Sequence, residues 1–283
     1  MTSPSVLVFG AAGQLGRATV DRLSDRTAVT GLSRHDVDVT DHAAVAAALN
    51  AHRPDIVVNC TAYNAVDQAE DDAVSALRVN ALAVQSMAHA AAAVGAVLVH
   101  YSTDFVFDGR AESPYTEADS PNPQSVYAQS KLIGEWLAAS APRAIILRVE
   151  SLFGGAAARS SIDRIVASLR AGETARVFVD RIVTPSYVDD VVEATWALVT
   201  GHAAPGVYHV VNSGQTTWHG IGEAVARLLG VPARLQAVKV DDIPMRAPRP
   251  KYCALSNAKL RSAGAVMPAW DDALARYLRA PRG

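Results

Sequence analysis

The stretch Val6-Leu7-Val8-Phe9-Gly10-Ala11-Ala12-Gly13-Gln14-Leu15-Gly16 reads as an apolar strand, a glycine turn and the opening of a helix. Four consecutive apolar residues ended by glycine suit a strand buried on both faces, and Leu15 to Leu23 then takes up helical spacing. Glycines at 10, 13 and 16 allow a tight turn and let backbone N–H groups approach a pyrophosphate at the positive end of the helix. At this glycine content a GxxGxxG arises by chance about 0.07 times per chain, so its place directly after the first strand carries the weight. The competing reading is a glycine-rich turn that merely packs a helix close to a sheet.

The same rhythm continues outward. Ala28 to Leu32 reads as a strand, Asp41 to Leu49 as a helix opened by Thr40 or Asp41, and Asp55 to Asn59 as a third strand. Ala69 to Val94 is helical for most of its length, Ala96 to Tyr101 a strand, Val126 to Ala139 a helix and Ala144 to Val149 a strand. Wholly apolar strands alternating with helices predict a doubly wound parallel α/β sheet of the Rossmann kind. After Glu150 the rhythm loosens. Ser160 to Arg170, Val188 to Val199, Thr217 to Leu229, Ser256 to Arg261 and Trp270 to Leu278 read as helices, with Ala175 to Val179 and Val207 to Val211 extended. Asp241 to Pro250 is a Pro/Arg-rich loop. The expected division is a dinucleotide-binding domain over 1–150, rejoined by about 180–200, and a smaller C-terminal α/β substrate lobe over 151–283.

Composition sets bounds on function. The chain has 283 residues, 50% hydrophobic and 19% charged, which disfavours a disordered or fibrous protein. A net charge of -2 offers no general attraction to a phosphate backbone, so nucleic acid is not an expected partner. Cys60 and Cys253 stand far apart, with neither a CxxC nor a Cys/His cluster, so no metal site and no disulfide framework is expected. The N-terminus lacks the pattern of a signal peptide, and the alanine-rich Ala81 to Val99 is broken by Gln85, Ser86, His89 and Gly95. No membrane association and a cytoplasmic location are expected. Only four lysines occur, Lys131, Lys239, Lys251 and Lys259, so a lysine inside a motif is informative.

Several residues carry chemistry. Ser33 and Arg34 close the second strand, where an adenosine ribose would lie; arginine there accommodates a 2′-phosphate, favouring NADP(H), while Asp36 and Asp38 leave NAD(H) open. Asn59-Cys60-Thr61-Ala62-Tyr63 leaves the third strand at the same edge, with Cys60 read as a packing residue rather than a redox group. Tyr127-Ala128-Gln129-Ser130-Lys131 places a phenol and an ammonium four residues apart on one helix face. A neighbouring positive charge lowers a tyrosine pKa, which suits a proton donor near neutral pH. His100-Tyr101-Ser102-Thr103-Asp104 adds hydroxyls at the end of the fourth strand. Each also has a plain structural reading, an ordinary surface pair or turn.

Together these residues resemble the extended, nucleotide-sugar-modifying branch of the short-chain dehydrogenase/reductase superfamily, and within it the dTDP-4-dehydrorhamnose reductases and related sugar-nucleotide ketoreductases. The resemblance rests on GAAGQLG (10–16), DVTD (38–41), RPDIVVNCTAYNAVDQAE (53–70), HYSTDFVFDG (100–109), VYAQSK (126–131), GVYHVVNSGQTTWHGI (206–221) and RPKYCALSNAKL (249–260). It implies that Gly10, Gly13, Gln14 and Leu15 hold the pyrophosphate, Asp38 and Val39 the adenine, and Thr61, Ala62 and Tyr63 the inner part of the dinucleotide. It further implies that Thr103 bonds the substrate carbonyl, Tyr127 delivers the proton, and Lys131 holds the nicotinamide ribose and depresses the Tyr127 pKa. Asp104, Trp218 and Arg249 become candidates for the nucleotide-sugar pocket, with Arg249 suited to the diphosphate. A homodimer is left open.

One segment departs from the family. Where rhamnose-forming reductases read Arg-Thr-Ser-Trp followed by an aromatic and Gly, this chain has Arg148-Val149-Glu150-Ser151-Leu152-Phe153-Gly154. Glu150 replaces a small hydroxyl, and its plain reading is a pair with a nearby arginine. Two further readings compete with a ketoreductase: an epimerase or dehydratase, against which Phe105 stands where dehydratases carry Glu, and a non-catalytic NADP-binding subunit like the β subunit of methionine adenosyltransferase.

Overall fold

A computed structural model describes residues 3–156 and 160–280, so the Met1-Thr2 start of the N-terminal stretch lies outside the described residues. The first half alternates as expected: β1 (Val6–Phe9), α1 (Gln14–Leu23), β2 (Val29–Leu32), α2 (His42–His52) and β3 (Ile56–Asn59). There follow α3 (Val66–Ala69), α4 (Ala73–Leu77), α5 (Ala83–Val94), β4 (Val97–Thr103), α6 (Val126–Ala138) and β5 (Ala144–Val149). Within each buried strand the side chains still alternate. Val6 and Val8 enter one core, while Leu7 and Phe9 enter the other, so helices cover both faces of the sheet. The long Ala69 to Val94 helix of the sequence reading is interrupted: Arg78–Leu82 forms a π turn between α4 and α5.

The second half begins with β6 (Leu152–Phe153), α7 (Ser161–Arg170), β7 (Ala175–Phe178), β8 (Ile182–Val183), β9 (Ser186–Tyr187) and α8 (Val188–Thr200). It continues with β10 (Gly206–His209), β11 (Thr216–Thr217), α9 (Trp218–Leu229), β12 (Leu235–Val238), α10 (Ala258–Ser262) and α11 (Trp270–Arg279). The central sheet has six parallel strands in the order β10-β5-β4-β3-β1-β2. This is a Rossmann-type sheet whose strand order reverses at β1, the place where such folds bind ligands at the strands' carboxyl ends. Its sixth strand comes from residues 206–209, and α8 packs on α1. β12 was not foreseen in the sequence; it pairs in parallel with β7 under α7 and α9. Among the described residues no helix is long and apolar enough to cross a membrane.

Candidate active site

Gly10 adopts φ +80°, and a side chain there would meet the backbone of Cys60 and Thr61 at 3.0 Å, so the turn lies directly against the exit of β3. The Gly13 N–H donates to the Gly10 carbonyl at 2.9 Å. α1 starts on Gly13 with no side-chain cap and no acidic residue in its first turn. That leaves its first N–H groups facing the crevice, as an anion site requires. The Gln14 side chain itself donates to the Gly154 carbonyl at 2.8 Å, tying the turn to the loop after β6.

A cleft of about 310 Å³ runs from this turn along the carboxyl ends of β3, β4 and β5. Its wall brings together Gly13, Gln14, Leu15, Thr61 and Ala62 with Thr103, Asp104, Tyr127 and Lys131. Gly10, Tyr63, Ser33, Arg34, Asp38 and Val39 are not part of that wall. Toward β2, Ser33 donates through its N–H and hydroxyl to Asp36 at 2.8 and 2.7 Å, which holds the Asp36 carboxyl below its ordinary range. Asp38 accepts from Thr40, Asp41 caps α2, and Val39 packs into the core under β2. Arg34 is exposed at the end of β2.

The reactive group is assembled from β4 and α6. The Ser125 hydroxyl caps α6 by accepting from the Ala128 N–H, and the Val126 N–H donates to Glu70, so the first helical turn, which bears Tyr127, is fixed at both ends. The buried Thr103 hydroxyl bonds Asp104 at 3.0 Å and meets the Tyr127 hydroxyl. Lys131, one turn below Tyr127, donates to the Tyr101 carbonyl at 2.6 Å. Burial lowers Lys131 to about 8. Tyr127 moves upward, because burial and then the Asp104 charge both oppose the phenolate, with the Thr103 hydrogen bond a smaller opposing effect. The expected lowering of the Tyr127 pKa by Lys131 is not seen: the Lys131 ammonium is engaged by the Tyr101 carbonyl, and burial with the Asp104 charge sets the direction.

Three supporting residues were assigned no role from the sequence. Asn80, in the π turn, accepts from the Tyr63 N–H at 2.8 Å and donates to the Ser130 hydroxyl at 2.9 Å, clamping the loop after β3 to α6. Asn59 accepts from Thr61 through N–H and hydroxyl and bonds His100 at 3.1 Å. Asn59, Asn80 and His100 are fully buried; a lone polar residue in an otherwise apolar strand or helix was the available signal. Cys60 has its thiol pushed up to about 12 by burial, in keeping with packing rather than redox chemistry.

Beyond Tyr127 the cleft opens into a second hollow of about 240 Å³, walled by Phe105, Ser151, Ile162, Arg181 and Trp218, and then a third of about 270 Å³ with Arg164 and Arg176. Trp218 stands where these two hollows meet, with its Nε1 unpaired. Arg249, expected at the diphosphate, instead pairs with Asp67 at 2.9 Å and donates to the Ala247 carbonyl, because the 241–250 loop folds back onto α3. Glu150 does not pair with Arg148, whose guanidinium is held by Glu135. It accepts instead from Thr184 and from the Ser151 hydroxyl at 2.5 Å. Glu150, Asp104 and Cys253 bring one oxygen or sulfur each to within 4.8 Å of one another, a cluster hidden by their wide sequence spacing. The Arg181 guanidinium approaches Cys253 at 3.5 Å and puts positive charge against it.

Comparison with known proteins agrees with this architecture. A family model described as RmlD substrate binding domain matches residues 4–282. The chain is 37% identical over 269 residues to a dTDP-4-dehydrorhamnose reductase of Streptomyces griseus, covering 92% of this chain and 88% of that protein. It is also 37% identical over 273 residues to a probable dTDP-4,6-dihydroxy-2-methyloxan-3-one 4-ketoreductase of Streptomyces antibioticus, covering 95% and 92%. The solved dTDP-4-dehydrorhamnose reductase of Bacillus anthracis in complex with NADP superposes with a TM-score of 0.93 at 29% identity, over 98% of this chain and 99% of that one. With the family match spanning nearly every residue and the fold shared from end to end, the chain belongs to the RmlD substrate binding domain family.

Proposed function

We propose that the protein is an NADPH-dependent ketoreductase acting on the 4-keto group of a nucleotide-linked deoxysugar. The observation that carries this reading is the meeting of Thr103, Tyr127 and Lys131 in one cleft with the uncapped glycine turn of α1. The cofactor fits by the same observations: Gly10 and Gly13 let the turn lie tight against itself and against the exit of β3, and α1 offers free N–H groups to a pyrophosphate. NADPH supplies the hydride when bound. Gly13, Gln14 and Leu15 hold the phosphates, Thr61, Ala62 and Tyr63 line the inner dinucleotide, and Arg34 meets the 2′-phosphate with Ser33, Asp38 and Val39 on the adenosine side.

Lys131 turns from the Tyr101 carbonyl toward the nicotinamide ribose and brings its charge to Tyr127. Thr103 donates to the substrate carbonyl, and Tyr127 protonates the oxygen as it becomes an alkoxide. Residues of 1–150 together with α8 and β10 carry the cofactor, and the rest of 151–283 carries the nucleotide sugar. Trp218 stacks against it, and Arg164 and Arg176 face its anionic end, the part expected of Arg249. The test is NADPH oxidation with dTDP-4-dehydrorhamnose, which Tyr127→Phe slows at least about 100-fold while NADPH binding persists. Unchanged turnover in that variant refutes the mechanism.

A further inference from the structure

The register of the central sheet pairs Thr103 of β4 with Val149 of β5. The next residue of each strand is therefore Asp104 and Glu150, and two carboxyls leave adjacent parallel strands side by side. Both are buried, at 4% and 2% exposure. The titratable groups that face them from the elements packed around are Arg181 before β8, the Cys253 thiol and Tyr127, while Thr103 donates to Asp104 and Thr184 and Ser151 donate to Glu150. Cys253 adds no charge, because burial raises its pKa well above the ordinary value. One guanidinium thus stands against two carboxyls. With both ionised the cluster would keep an uncompensated negative charge out of water, which costs several kcal/mol. One Asp104 oxygen, Oδ2, is also buried with no hydrogen-bond partner. A bare carboxylate oxygen in that position is the arrangement proteins avoid, and a retained proton removes the conflict.

We propose that Asp104 and Glu150 hold one proton between them and return it, through the Thr103 hydroxyl, to the Tyr127 oxygen after each reduction. The proposal rests on the ketoreductase reading above. In the reduction the Tyr127 O–H bond breaks as the sugar O–H bond forms, leaving a phenolate. Thr103, which donates to Asp104 at 3.0 Å and lines the same cleft as Tyr127, turns its hydroxyl to give its proton to the phenolate and takes the one held by the carboxyl pair. The pair then regains from bulk solvent, by way of the cleft whose wall includes Asp104, the one proton that each reduction consumes. Glu150 touches neither sugar nor cofactor and acts as a positioning residue: its carboxyl lies against that of Asp104, so the two share one buried site for the proton. Ser151, at φ +43°, is bent so that its hydroxyl reaches Glu150 while the residue still lines the cleft. Burial pushes both carboxyls upward, Glu150 further because Asp104 repels its charge.

Two measurements on the full chain test this. The first is the infrared difference spectrum at pH 7 between wild type and Glu150→Gln, which reads the carbonyl stretch of a protonated carboxyl without any turnover. That band is expected in wild type and missing from the variant; its absence from wild type overturns the proposal. The second is stopped-flow NADPH oxidation with dTDP-4-dehydrorhamnose. Glu150→Gln and Glu150→Ser are expected to show a burst of one NADPH per site. A steady state at least about tenfold slower than wild type then follows. Burst and steady state falling together, as a merely structural defect would make them, or neither falling, overturns the relay. A wild type that oxidises no NADPH refutes the reductase reading and the relay with it, whereas the infrared band reads the shared proton on its own.

Discussion

Replacing Arg148 by Met should expose how firmly the helix that bears Tyr127 is anchored. Arg148 and Glu135 are each 3% exposed. They form a two-pronged pair, Nε to Oε1 at 2.9 Å and Nη2 to Oε2 at 2.7 Å, that bolts α6 to β5. The guanidinium also lies 5.0 Å from the centre of the Phe107 ring and 3.4 Å from the His209 ring nitrogen. His209 stays neutral, since burial and then Arg148 lower it to about 3, so it cannot replace the lost charge. Arg148→Met therefore strands the Glu135 carboxylate inside the protein, at about 3–5 kcal/mol. Against a total stability of about 5–15 kcal/mol, this is a large fraction. Removing both charges, as Arg148→Met with Glu135→Leu, leaves no stranded ion and should lose less than either single change. Urea unfolding followed by tryptophan fluorescence gives the four stabilities of the double-mutant cycle. The shift should hardly depend on salt, because the pair is shut away from solvent. A single-variant loss under about 1 kcal/mol, or a double-variant loss equal to the sum of the singles, refutes the reasoning.

Further outcomes follow from the same geometry. Lys131→Met should abolish turnover yet stabilise the cofactor-free protein at pH 7: a fall from 10.5 to about 8 corresponds to about 3 kcal/mol, less the bond to Tyr101. Because the folded pKa lies below the unfolded one, the wild type gains stability as pH rises from 8 to 10.5, so the advantage should shrink over that window; an advantage independent of pH contradicts the assignment. Arg34→Ala should weaken NADPH about tenfold in a binding titration and leave NADH unchanged, and equal NADPH affinity in both proteins removes Arg34 from the site. Gly16→Ala drives a methyl group into the Gly10 backbone and should lower stability by about 2 kcal/mol along with NADPH binding, whereas a silent change would mean the turn can move aside.

Much of the fold was readable because it is written in short periods. Val6 to Phe9 and its successors are continuous apolar runs, and the helices between them keep a spacing of three and four residues, so the parallel sheet follows from local pattern. The glycine turn and the Tyr127–Lys131 pair are legible for the same reason: their members are sequence neighbours. What stayed hidden depends on partners far apart in the chain. Glu150 meets Thr184 across 34 residues and Arg249 meets Asp67 across 182, distances that no spacing rule reaches. The π turn at Arg78–Leu82 was invisible because helical periodicity averages over one extra residue, although Asn80 in an alanine-rich stretch marked the spot. The upward shift of Tyr127 was missed because it arises from burial and from Asp104, and burial is a property of the whole fold.

The place of β10 in the sheet bears on how the chain is made. β5 has β4 on one side and β10 on the other, and β10 is not synthesised until residues 206–209. As the nascent chain grows, about sixty residues of the second half emerge while one margin of β5 still offers bare N–H and C=O groups. Such a margin invites pairing with another copy. A fragment cut near residue 150 would carry that open margin permanently, so it should be prone to association however complete its glycine turn. In this protein the last strand of the central sheet is delivered by the second half of the chain, and the two halves are obliged to mature together.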